Sequence, residues 1–244
     1  MKNIFGESSK RVKKADASEQ WISVSDLMTG LMVVFLFVSI ALMRHALNER
    51  DKVKIERDKV KSIAVAYQQN QVAIYDALDK EFSNDLTKWN AQINKETLSF
   101  EFKSPDILFA KGSYELTEGF ESVLGDFFPR YMQVLNQFKE SINEVRIEGH
   151  TSSQWGDIED QDEAYFNNMA LSQARTRSVL SYIQSLEEIK SQRDWIRNHV
   201  AAVGLSSSKL ILDDNGVEDS DKSRRVSFRV NTNADIQIRK IIEE

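Results

Sequence analysis

Leu98-Ser-Phe-Glu-Phe102 alternates apolar and polar side chains, the period of a strand with one face buried. Helical spacing follows it. Phe120, Val123, Leu124, Phe127, Tyr131, Leu135 and Phe138 recur at three and four residues, and Pro129 is expected to kink or divide that helix. Val145-Arg-Ile-Glu-Gly149 reads as a second strand, and Leu171, Ala174, Ser178, Tyr182, Ile183 and Leu186 mark a further amphipathic helix. Leu210-Ile-Leu212 and Val226-Ser-Phe-Arg-Val230 are expected as the last strands. Strands alternating with helices in this order predict an α/β domain over residues 97–244: two layers, with helices on one face of a small mixed sheet. Roughly 150 residues suffice for a proper core.

Upstream the periodicity changes. Residues 44–96 lack both Pro and Gly and are rich in Glu, Lys, Ala and Gln, which favours a continuous helical linker. Val53, Val60, Tyr67 and Ile74 recur every seven residues, as a coiled-coil seam requires, but the matching positions Glu56, Ile63, Asn70 and Ala77 make a poor second row. A weak parallel dimer stalk and a solvated single helix both satisfy this pattern.

Before the linker stands an apolar run, Trp21 to Met43, about the length that crosses a hydrocarbon core of roughly 30 Å. Asp26 is its single charged residue. A carboxylate inside a bilayer costs on the order of 3 kcal/mol on insertion scales, and such groups face a partner or a water-filled path, often as ion relays. A cap or snorkelling position near the helix start is the plainer alternative. Residues 1–20 form a polar, lysine-rich tail, expected to be cytoplasmic. No small-x-small cleavage site closes the apolar run, so it reads as an uncleaved anchor rather than a secretory signal. Basic residues flank the run on both sides, and charge counting leaves its orientation open.

Composition narrows the chemistry. The net charge is −6 with bases and acids interleaved, which speaks against a nucleic-acid partner. The absence of cysteine excludes disulfides, zinc-thiolate sites and cysteine nucleophiles. The three histidines, His45, His150 and His199, have no ligand-like spacing, and no nucleophile is paired with His150. An enzyme is the least supported class.

Four segments carry a pattern: Asp106-Ile-Leu-Phe109-Ala-Lys-Gly112-Ser-Tyr-Glu-Leu116, Ile147-Glu-Gly149-His150-Thr151, Asn168-Met-Ala-Leu171-Ser172-Gln-Ala-Arg175, and Arg224-Arg225-Val226. In this order they resemble the OmpA-like peptidoglycan-binding domain. The resemblance implies a wall-peptide site at Thr151, Ser152, Asn168, Leu171 and Arg175. Asn168, Leu171 and Arg175 fall at helical spacing on one face, expected near a helix N-terminus, where N–H groups and a guanidinium would favour a carboxylate. Core packing is an equal account of Leu171, and His150 serves equally well as a strand-end residue holding a loop. Where the family commonly has Asp after Gly-His-Thr, this chain has Ser152, followed by an acidic stretch with Asp157, Glu159, Asp160, Asp162 and Glu163. Either one of those acids takes the missing role or the binding mode differs.

An apolar helix with one carboxylate, a helical linker and this domain together resemble the MotB-like B subunits of ion-driven stators. The sequence Ser25-Asp26-Leu-Met-Thr-Gly30-Leu-Met-Val-Val-Phe-Leu-Phe37 is most similar to the B subunits of the Zorya anti-phage defence system. The resemblance implies Asp26 as the ion-carrying carboxylate, a homodimer inside a pentameric ring of MotA-like A subunits, an inner-membrane location with the C-terminal domain periplasmic, and peptidoglycan as the anchor. The transported ion is expected to be H⁺, with Na⁺ as the alternative, and no cofactor is implied. A flagellar stator subunit and a passive wall tether are the rival readings.

Overall fold

The computed structural model describes residues 8–103, 105–110 and 112–233, with side chains from Trp21 onward except at 105 and 106. Much of the expected tail 1–20, Lys111 of the first motif, and the end of the domain (234–244) lie outside the described residues. The chain divides into two compact units after Val60.

The first unit is helix. Helix α1 runs from Ser8 to Phe82, so the expected anchor and most of the expected linker share one element. Its stretch Trp21–Met43 is exposed throughout, with Leu27 at 73% and Phe37 at 67%. Among the described residues, α1 is the one helix long and apolar enough to cross a membrane.

The second unit contains β1 (Ala91–Asn94), β2 (Ser99–Lys103), the single turn α2 (Pro105–Leu108), α3 (Glu118–Asn136), β3 (Ile142–His150) and α4 (Gln161–Ser185). There follow α5 (Arg193–His199), β4 (Val200–Gly204), the turn α6 (Ser220–Ser223) and β5 (Arg225–Thr232). The sheet order is β1-β2-β5-β3-β4, with β3 and β4 parallel and every other pair antiparallel. This is the expected mixed sheet under a helical layer.

The core lies between that layer and one sheet face. Phe100 and Phe102 of β2 and Phe228 of β5 meet Phe127 and Tyr131 of α3, with Phe100 and Phe127 ring centres 4.6 Å apart. The end of α1 joins them: Ile74, Leu78 and Phe82 are fully buried, and Phe82 packs against both Phe100 and Phe127. Ile74, expected in a coiled-coil seam, is therefore used in the domain core. Arg130 secures the junction, donating to Glu81 at 2.7 Å and Asp85 at 3.0 Å while lying 4.8 Å over the Phe82 ring.

Several elements differ from expectation. The folded unit takes in part of the expected 44–96 linker, since α1 ends at Phe82 and β1 pairs with β2. Asn90, at φ 49°, makes the turn into β1, a conformation Asn tolerates better than most residues. Strand β2 is buried on both sides: Ser99 and Glu101 are covered too, and Glu101 accepts from Gln92 at 2.7 Å and Ser99 at 3.0 Å. Pro129 does not divide α3, because the buried row from Phe120 to Leu135 holds both halves to one sheet face across the missing N–H. The expected strand 210–212 is a loop with one bridge, Leu212 to Glu218, and Leu212 is 56% exposed. Val200-Ala-Ala-Val-Gly204 takes that place in the sheet beside β3. Helix α4 buries Ala164, Asn168, Ser172, Arg175, Thr176, Val179 and Ile183, a face rotated from the predicted one.

Candidate functional site

Close approach of α4 to the sheet sets the site. A methyl group on Gly204 would lie 2.5 Å from the Gln173 nitrogen, and one on Gly149 would lie 2.8 Å from the Ser172 carbonyl oxygen. Only glycine admits α4 at that distance. Gln173 confirms the register by bonding β4 twice, accepting from the Gly204 N–H at 2.8 Å and donating to the Ala202 carbonyl at 3.2 Å.

The end of β3 then delivers the loop. The Thr151 N–H bonds the Ser206 carbonyl at 2.9 Å, and the Asn168 side-chain amide donates to the carbonyls of Ser152 at 3.2 Å and Gln154 at 3.1 Å. Asn168 is 3% exposed, so α4 clamps the 152–154 backbone through it. From the other side Arg175 donates through Nε to the Ser113 carbonyl at 2.9 Å and lies 4.9 Å over the Phe109 ring. The four sequence segments thereby converge on one cavity of about 510 Å³, lined by Gly112, Thr151, Ser152, Gln154, Trp155, Gly156, Asn168, Leu171, Arg175 and Arg224. All five residues expected at a wall-peptide site line it. Leu171 is only partly buried and stands at the cavity rather than in the core.

Two expectations change. Helix α4 begins at Gln161, two turns upstream of Asn168, and Asp160 caps it by accepting from the N–H groups of Asp162 and Glu163. The cavity therefore owes nothing to the N-terminus of α4; the charged side chains among its described lining residues are Arg175 and Arg224. Nor does any acid of the 157–163 stretch line it. Glu159 and Asp162 open instead on a second cavity of about 590 Å³, with Ser153, Gln154, Tyr165 and Leu210. Ser152 thus has no acidic replacement among the described residues that line the first cavity. Sequence reading passed over Trp155 and treated Arg224 only as part of a motif. The Arg-Arg pair was the available signal, but nothing in it separates the cavity-lining Arg224 from Arg225, which is buried beside His150.

That histidine is structural. His150 is 5% exposed, with Nε2 3.3 Å from the Ser227 hydroxyl and 3.7 Å from Glu148. Burial, then the charge of Arg225, holds it below the ordinary histidine range against the pull of Glu148. Burial acts to raise Glu148, but His150, Arg229 and Arg146 outweigh it and keep its carboxyl below the usual range.

In the other unit, Asp26 lies on α1 with no second charge between Trp21 and Met43. One turn on, Thr29 returns its hydroxyl to the Ser25 carbonyl at 2.8 Å, so this neighbour places no unsatisfied donor in the apolar span.

Residues 108–224 match the OmpA family. Among solved structures, a MotB-like protein of Desulfovibrio vulgaris aligns at 18% identity with a TM-score of 0.46, covering 72% of this chain and 95% of that one. The cell wall anchor of the T6SS from Pseudomonas aeruginosa aligns at 20% identity with a TM-score of 0.44, covering 64% and 96%. The Zorya protein ZorB of Escherichia coli is 53% identical over 232 residues, which span 95% of this chain and 96% of that protein. With more than half of its residues shared over nearly the full length of both chains, the protein belongs to the family of the Zorya protein ZorB.

Proposed function

We propose that the chain is the wall-anchored B subunit of an ion-driven motor in the bacterial inner membrane, serving anti-phage defence, with Asp26 carrying the ion. The observation behind this reading is the union in one chain of a lone carboxylate in an apolar span and an arginine-lined cavity in an OmpA domain. A passive tether has no use for an intramembrane charge that costs on the order of 3 kcal/mol to insert. A carboxylate that binds and releases an ion does work only when a partner offers it two environments of different affinity. That partner is a ring of five MotA-like A subunits surrounding two copies of this chain. The ion is H⁺, or Na⁺ in the alternative. The second unit lies in the periplasm and grips peptidoglycan, which keeps the pair still while the ring turns.

Asp26→Asn tests the motor. The amide keeps the shape and removes the titrating group, so ion flux and phage protection should be lost while insertion and complex assembly persist. Full protection by Asp26→Asn in a plating assay would overturn the reading.

A further inference from the structure

Thr151, Ser152, Gln154 and Trp155 follow directly on β3 and line the cavity described above. Their backbones are engaged. The Thr151 N–H bonds Ser206, Asn168 holds the carbonyls of Ser152 and Gln154, and the Trp155 carbonyl accepts from the Ile158 N–H at 3.1 Å. Their side chains are not. Thr151 is 4% exposed, and its buried hydroxyl has no hydrogen-bond partner among the described residues. None of those residues bonds the Ser152 hydroxyl, the Gln154 side-chain amide or the Trp155 indole N–H, and no other aromatic ring packs on that indole. Ser153, in their midst, differs: its N–H and its hydroxyl both bond Glu218. A buried polar atom left unpaired is costly, so the Thr151 hydroxyl marks where a ligand atom completes the site.

We infer that this side of the cavity is a sugar subsite: Trp155 stacks on a pyranose ring of the glycan strand, while Thr151, Ser152 and Gln154 exchange hydrogen bonds with that sugar's hydroxyl and acetamido groups. The sugar subsite deepens the wall-binding reading above and rests on it. A pyranose has an apolar face of C–H groups and a rim of neutral donors and acceptors. The indole matches the face with its flat apolar body and brings an N–H to the rim. Hydroxyl and amide side chains, which both donate and accept, match the rest of the rim. The ionic ends of a wall peptide call for charged partners instead, and none of these four residues supplies one. At about 510 Å³ the cavity is of a size that encloses a whole drug-sized ligand, so a sugar fits there beside one residue of the peptide. The chain thereby grips the wall where glycan and peptide join.

Co-sedimentation of the detergent-solubilised full chain with sacculi tests this through competition by two soluble fragments: a disaccharide carrying the stem peptide, and the same peptide cut from its sugar. The disaccharide-peptide should displace the natural chain at a concentration about tenfold lower than the free peptide. Trp155→Ala should make the two fragments equivalent, and Trp155→Phe, which keeps a ring, should retain part of the difference. Equal displacement of the natural chain by both fragments, or displacement by neither, would overturn the sugar subsite. So would a folded Trp155→Ala chain that still prefers the disaccharide-peptide. Failure of the natural chain to sediment with sacculi at all is a separate result: it removes the wall-binding reading and the sugar subsite with it.

Discussion

Arg175 donates through Nε to the Ser113 carbonyl at 2.9 Å, joining α4 to a loop 62 positions earlier in the chain. The same guanidinium lies over Phe109, so two independent contacts fix its plane at the cavity. A side chain held this way loses little conformational freedom when it meets a ligand.

Arg175→Ala should therefore weaken binding to purified sacculi by roughly ten- to a hundredfold, the usual worth of a hydrogen bond to a charged group at about 1.5–3 kcal/mol. Arg175→Lys should recover little, because an ammonium cannot reproduce the planar stacking on Phe109. Circular dichroism of each variant separates lost binding from lost folding. Unchanged binding by folded Arg175→Ala would place the wall contact elsewhere.

Gly204→Ala should destabilise the folded unit by about 1–3 kcal/mol through overpacking, because the new methyl meets backbone of α4 that cannot swing aside. Gly216→Ala is a useful comparison. Its added methyl has open space around it and its only cost is the left-handed φ of 77°, so a smaller loss is expected. Equal urea midpoints for the two variants would show that α4 shifts without penalty.

Acid should weaken the fold in two stages. His150 is held below its ordinary value, so the unfolded chain takes up a proton near pH 6.5 that the folded chain refuses. Stability is complete above that value and declines as pH falls through it. Glu148, also held low, adds a further loss below about pH 4.5, where the unfolded carboxyl protonates first. His150→Gln should flatten the first decline and also shrink the second, because His150 is the first of the groups that hold Glu148 low. A thermal midpoint of the natural chain that stays constant across pH 6.5 would contradict the account of His150.

Orientation can be read directly because the chain has no cysteine. Asp214→Cys places one thiol on the exposed loop after Leu212. An impermeant maleimide should label it in spheroplasts with an intact inner membrane. Protection until lysis would put the second unit in the cytoplasm and end the wall-anchoring proposal.

Local patterns carried much of this molecule. The apolar run around Asp26, the alternation in Leu98–Phe102, the helical spacing from Phe120 to Leu135 and the identity of the cavity residues Thr151, Ser152, Asn168, Leu171 and Arg175 were all legible, because each depends on nearby residues or on a motif. What lay beyond the sequence depended on contacts between distant segments. Val200–Gly204 is too short and too poor in large side chains to announce a strand, and becomes one because β3 offers a parallel edge and its Gly204 admits α4. Phe82 looks like a linker position until Phe100 and Phe127 pack against it, and Ile74 until the domain core buries it. The acids at 157–163 seemed available to the cavity by proximity in sequence. Packing gave Asp160 to the helix cap and Glu159 and Asp162 to a neighbouring hollow, and the charged residues among the described lining of the first cavity are Arg175 and Arg224. Sequence proximity determines which residues can meet, but in a sheet built from non-consecutive strands the tertiary fold decides which ones face the same space.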